Sequence, residues 1–139
     1  MNKERILAKV DELEGYLKEL RTVTPERFEE YVASIEKRRG CERLLHIAIE
    51  CAIDICGLIV TRLRLGIPAD ERDLFKKLSE AEIISEGMAS KLSKMRAFRN
   101  ILVHRYGAVD DELVFKVLKK NLGDFKKFKR EILDSLQRI

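Results

Sequence analysis

From Leu44 to Val60 the chain reads LLHIAIECAIDICGLIV, apolar except where His46, Glu50 and Asp54 interrupt it at four-residue intervals. A run this long and apolar has to be a helix shielded from water. Three ionisable groups inside it make it a core helix rather than a membrane span. The surrounding sequence is helical in character as well. Hydrophobic residues make up 45% of the 139 and charged residues 37%, while Gly (7) and Pro (2) are scarce, which excludes a disordered chain and favours helices joined by short links. A chain of this length is expected to form one domain, residues 1–139, large enough to bury a core without disulfides or metal.

Five helices are expected. Ile6, Val10, Leu13, Leu17 and Leu20 recur at three and four residues and define the first, from about Lys3 to Arg21. Thr24-Pro25-Glu26 is a start signal, with Thr24 as cap and Pro25 in the first turn, for a second helix. That helix runs to about Arg64, kinked or tolerated at Gly40, and ends at Leu65-Gly66-Ile67-Pro68. Asp70 caps a short third helix through about Ala81, and Ser85 caps a fourth that buries Met88, Leu92, Met95 and Phe98. The fifth spans roughly Asp111 to Gln137, with Leu113, Val117, Leu118, Leu122, Phe125, Phe128, Ile132 and Leu136 inward. No convincing strand is found, and antiparallel helices with short links make an all-α bundle of four or five helices.

Charge and cysteine usage narrow the setting. The N-terminal MNKERILAKVDELEGYL lacks the apolar region of a signal peptide. Cys41, Cys51 and Cys56 form no CxxC pair and read as reduced, buried thiols, so a cytoplasmic location is expected. The net charge of +4 is compatible with a nucleic-acid partner without demanding one. Lys37-Arg38-Arg39 and the lysine-rich last helix are candidate RNA contacts, although a charge run of this kind is more often a solvated face.

Candidate chemistry concentrates in Arg99-Asn-Ile-Leu-Val-His-Arg-Tyr106, an Arg-x4-His-x-Tyr pattern holding one of only two histidines. Histidine moves protons near neutral pH, and arginine is permanently charged and grips phosphate through two hydrogen bonds. Together they suffice for acid-base work beside a phosphodiester without a metal. Taken alone, Arg99 also reads as a surface ion-pair residue, His104 as a helix C-terminal residue favoured by the dipole, and Tyr106 as a packing aromatic.

This motif at the end of the fourth helix, after a second helix reading RLLHIAIECAIDICGLIV, resembles the HEPN superfamily and more closely the HepT toxins, partners of minimal nucleotidyltransferase (MNT) antitoxins. The flanking segment AEIISEGMASKLSKMRAFRNILVHRY is similar to that family's central segment almost throughout. The resemblance implies a dimerising all-α bundle and a metal-independent endoribonuclease toxin of a type VII HepT/MntA-like system. It makes Arg99 and His104 catalytic, Asn100 a polar helper and Tyr106 the acceptor of a silencing AMP. Its partners are RNA, the MNT antitoxin and a second copy of the chain, with no membrane, cofactor or metal ion.

Spacing raises a difficulty. On an ideal helix, positions five apart lie roughly 140° apart around the axis, so Arg99 and His104 share no face. Either the helix loosens near Val103, or Arg99 of one subunit works with His104 of another. A second polar group bears on the same site. Glu42, His46, Glu50 and Asp54 recur every four residues along the apolar second helix, where buried charges need partners. Arg96 and Arg99 are the candidates, with Glu50 or Asp54 orienting Arg99 or tuning His104. The stripe also reads as a narrow solvent-facing strip, and His46 with Glu50 as metal ligands lacks further donors. Arg96 and Arg105 join Lys37, Arg38 and Arg39 as candidate phosphate contacts. The rival function is a non-catalytic nucleotide- or RNA-binding helical module that docks on a nucleotidyltransferase.

Overall fold

The computed structural model describes residues 3–104 and 109–139, and seven helices account for most of them. They are α1 (Lys3–Val23), α2 (Phe28–Ala33), α3 (Ile35–Leu63), α4 (Glu71–Glu80), α5 (Glu86–His104), α6 (Asp111–Lys120) and α7 (Leu122–Arg138). No strand occurs among the described residues, in keeping with the all-α expectation.

The apolar run becomes the middle of α3, and α1, α2, α4 and α5 all pack on it. Cys41, Leu45, Ile49, Ala52, Ile55, Cys56 and Ile59 are buried along its length. By length and composition α3 could cross a membrane, but 56% of its most apolar window is buried against the other helices. The most extensive helix pair is α1 with α3. The Cys51 thiol meets the Lys9 carbonyl at 3.3 Å and Thr24 lies 3.8 Å from Cys41, so the two helices run antiparallel. Ser85 with Glu131 and Lys91 with Asp124 show the same for α5 and α7. All three cysteines are free and buried, and burial raises their thiol pKa values, that of Cys51 to about 11.

Two helices expected to be continuous are broken. The second divides at Ser34, whose backbone is extended and whose hydroxyl accepts from the Lys37 amide at 3.2 Å, capping α3. Gly40 lies inside an unbroken helix. Nor does Thr24-Pro25 start a helix. Thr24 turns back and donates to the Leu20 carbonyl at 2.6 Å, closing α1, and Pro25 is buried in the link. The short α2 is held by aromatic packing, with Phe28 and Tyr31 each 5.5 Å from the ring of Phe115 on α6. The expected fifth helix breaks at Asn121 into α6 and α7. The separate α6 turns Val114 and Leu118 inward and leaves Leu113 37% exposed.

The remaining end signals act as read. Asp70 accepts from the Asp73 amide at 2.8 Å and Ser85 from the Met88 amide at 3.1 Å. After α3, Arg64 takes the left-handed conformation (φ 54°) and Gly66 follows at φ 101°, which lets the chain reverse into α4. Truncating the centre of this packing by Ile55→Ala is expected to cost about 2–5 kcal/mol, against less than about 0.5 kcal/mol for Leu7→Ala at an exposed position of α1. Urea unfolding of the two variants beside the wild type measures both.

Candidate active site

Where α3, α4 and α5 meet, one arginine is surrounded by carboxylates. The side chain of Arg99 on α5 is 11% exposed. Its Nε donates to Oδ1 of Asn100 at 3.0 Å, its Nη1 to Oε1 of Glu50 on α3, and its Nη2 to Oε1 of Glu71 on α4. Of the five N–H groups a guanidinium carries, this engages three among the described residues. Glu71 is shared, since Arg96 one turn back on α5 also donates to its Oε1 at 2.9 Å. On the other side, His46 Nε2 lies 3.8 Å from Glu50 Oε1, and its Nδ1 lies 3.1 Å from Arg43 Nη1. A continuous polar chain therefore runs Arg43, His46, Glu50, Arg99, Glu71, Arg96 across three helices.

Two opposing effects act on the charges. Burial disfavours the Arg99 cation, but hydrogen bonds and attraction from Glu50 and Glu71 outweigh it and raise its pKa further. For His46 burial lowers the pKa, Glu50 pulls it up, and Arg43 and Arg99 push it down, leaving it below the ordinary value of 6.5. With His46 neutral, the chain holds three guanidiniums against two carboxylates, an excess of positive charge suited to an anion.

Of the two acids offered as partners for Arg99, Glu50 meets it and Asp54 does not. Asp54 is 54% exposed on its side chain and pairs with Lys9 of α1 at 3.5 Å. Residues four apart on a helix drift by about 40° per step, so the stripe rotates from the α5 side at Glu50 toward α1 at Asp54. Glu42 at the other end pairs with Arg39 at 2.9 Å. The Lys37-Arg38-Arg39 cluster does not form one patch. Arg38 reaches Asp111 at the start of α6 at 3.5 Å with its side chain 23% exposed, while Lys37 and Arg39 are exposed. Consecutive helix positions point about 100° apart, so adjacent basic residues disperse.

Glu71 is the contact that sequence reasoning missed. An acid just after the capping Asp70 is accounted for by the helix dipole, so it carried no separate signal. Arg43 was missed for a similar reason, as one of many basic residues on exposed helix positions. Among the described residues no three of His, Cys, Asp and Glu are grouped to hold a metal ion. The motif itself is partly in view. Helix α5 is unbroken through His104, so there is no loosening near Val103, and helix positions 99 and 104 keep their separation of roughly 140°. Arg105 and Tyr106 lie outside the described residues.

An all-α bundle with an arginine fixed on its fifth helix, before a histidine and a tyrosine, defines a class. The chain belongs to the family described as Ribonuclease HepT-like, which matches residues 13–132. A "Putative RNase" of Archaeoglobus fulgidus is 34% identical over 139 residues, covering 100% of this chain and 98% of that protein. The "mRNA nuclease HepT" of Shewanella oneidensis is 37% identical over 79 residues, 57% of this chain and 59% of that protein, less than two thirds of its length. Among solved structures, the tri-AMPylated Shewanella oneidensis HEPN toxin in complex with MNT antitoxin superposes with a TM-score of 0.87. That likeness covers 96% of this chain and 99% of the other at 28% identity.

Stability should report on His46. Because its pKa is lowered by folding, the folded protein favours the neutral ring. The stabilisation is fully present above pH 6.5 and is lost as pH falls from there toward the folded value. His46→Gln is expected to flatten this part of the profile, as measured by urea midpoints of both proteins between about pH 7.5 and 5.

Proposed function

We propose that this chain is a metal-independent endoribonuclease toxin of the type VII HepT/MntA-like kind, acting in the cytoplasm as a homodimer. Its antitoxin is an MNT nucleotidyltransferase that silences it by transferring AMP to Tyr106. The observation that carries the reading is Arg99, nearly buried, held by two carboxylates, and centred in a cluster with excess positive charge. Family membership and the nuclease names of the relatives support it.

In the proposed reaction a ribose 2′-oxygen attacks the adjacent phosphorus and the 5′-oxygen leaves, giving a 2′,3′-cyclic phosphate and a 5′-hydroxyl. Arg99 stabilises the charge that builds on the phosphoryl oxygens. His104 moves a proton, either from the 2′-hydroxyl or to the leaving oxygen. Asn100 holds Nε of the guanidinium, and the substrate phosphate competes with Glu50 for Nη1. Lys37 and Arg39 supply exposed charge for the RNA backbone. The unbroken helix between positions 99 and 104 favours a composite site, with Arg99 from one subunit and His104 from the other. AMP on Tyr106 would put a tethered phosphate where substrate phosphate competes for Arg99.

Cleavage of RNA in EDTA tests the activity. Wild type free of AMP is expected to cleave, and Arg99→Ala and His104→Ala are each expected to abolish cleavage. No cleavage by the AMP-free wild type would favour the non-catalytic module that docks on a nucleotidyltransferase. Mixing the two inactive variants tests the composite site. Random exchange of subunits should restore about a quarter of wild-type activity, since half of the dimers then contain one intact site of two. Recovery of nothing from dimers shown to exchange would put both residues of a site in one subunit. For the switch, Tyr106→Phe should retain cleavage yet resist neutralisation by the nucleotidyltransferase with ATP. A variant still silenced would acquit Tyr106.

A further inference from the structure

We propose that His46 is a positioning residue for Arg99: it receives Glu50 when a substrate phosphate takes that carboxylate's place, so RNA binding is accompanied by proton uptake at His46. The inference rests on the ribonuclease reading and adds to it a residue outside the motif.

The two carboxylates on Arg99 are not equivalent. Glu71 is held by two guanidiniums, Arg99 and Arg96, and its side chain is 33% exposed. Among the described residues, Glu50 is held by one guanidinium, that of Arg99, and its side chain is 41% exposed. An incoming phosphate competes for the guanidinium of Arg99 and repels both carboxylates, and Glu50 is the one with less to lose by leaving. One helical turn back on α3, His46 already lies 3.8 Å away from it, a short side-chain rotation from hydrogen-bond distance.

The ring is set up to receive it. Arg43 Nη1 carries only hydrogens to donate, so at 3.1 Å His46 Nδ1 must be the acceptor and the neutral ring carries its proton on Nε2, the nitrogen nearest Glu50. Among the described residues, the charged groups that act on the ring are Arg43 and Glu50 on its own helix and Arg99 on α5. In the resting arrangement both arginines and burial oppose a charged imidazole. Phosphate on Arg99 cancels one of those cations, and Glu50 turning to His46 adds a negative partner. Arg43 is exposed and free to swing aside when Nδ1 takes its own proton. All three changes favour imidazolium, which then neutralises a carboxylate that would otherwise face the substrate.

The test uses the full chain carrying His104→Ala, which leaves His46 as the sole histidine and, on the reading above, prevents turnover. The ring C2–H resonance is followed by NMR from about pH 5 to 8, without and with saturating RNA oligonucleotide. Bound RNA is expected to raise the His46 midpoint by about one unit or more, a tenfold change in its proton affinity. Glu50→Gln in the same background should abolish the rise. Oligonucleotide affinity should strengthen as pH falls through this range, and His46→Gln, which keeps a donor facing Glu50, should flatten that dependence. RNA that binds while the His46 midpoint stays in place would overturn the positioning role and leave the ribonuclease reading standing. RNA that binds at no pH would overturn both.

Discussion

A helix that is apolar on nearly every side can be stable in water only if other helices enclose it, and α3 is that helix. Its residues from Cys41 to Val60 include more buried side chains than any other described helix, and their burial helps decide where the other elements lie. Helix α1 covers one flank in antiparallel fashion, α4 and α5 cover another, and α2 folds over its beginning. The few polar positions of α3 acquire their meaning from which of these neighbours they meet. Glu50 meets the arginine of α5, Asp54 meets the lysine of α1, and Glu42 stays on its own helix with Arg39.

The candidate site is the place where this enclosure is polar. An arginine withdrawn from water is costly unless paired, and Arg99 is paired with carboxylates from two different helices. The arrangement restricts the guanidinium to one orientation, as electrostatic stabilisation of a phosphoryl group requires. Among the described residues, it also leaves part of the hydrogen-bonding capacity of Arg99 unused and the polar chain with more guanidiniums than carboxylates. Glu71 connects the candidate site to α4, so a helix whose sequence shows only capping and core signals also positions Arg99.

Much of the fold is legible in residue order because the signals are local. Helix starts at Asp70 and Ser85 depend on a side-chain oxygen reaching an amide three residues on, and both are realised. The two breaks at Ser34 and Asn121 are less legible. Ser34 sits in a run that keeps its helical periodicity, and the short helix before it packs through Phe28 and Tyr31 on Phe115, which lies far away in sequence. The same division applies to the site. Arg99 stood out by residue type and Glu50 as one of two spaced acids that could partner it, while the role of Asn100 came from the family resemblance. Glu71 did not stand out, because its pairing with Arg99 bridges two helices.

By itself, then, the amino-acid sequence determined an all-α protein with a core helix, the ends of several helices, and a motif whose residue types suit phosphate chemistry. These properties follow from periodicity, capping and side-chain chemistry, which act over a few residues. Only the tertiary structure decided which acid of the α3 stripe meets Arg99, that Glu71 and Arg96 complete the cluster, and that Arg38 turns to Asp111 instead of joining a surface patch. Those outcomes depend on how α3, α4, α5 and α6 are rotated about their axes when they pack. A rotation of one residue's worth, about 100°, would exchange every one of these partners.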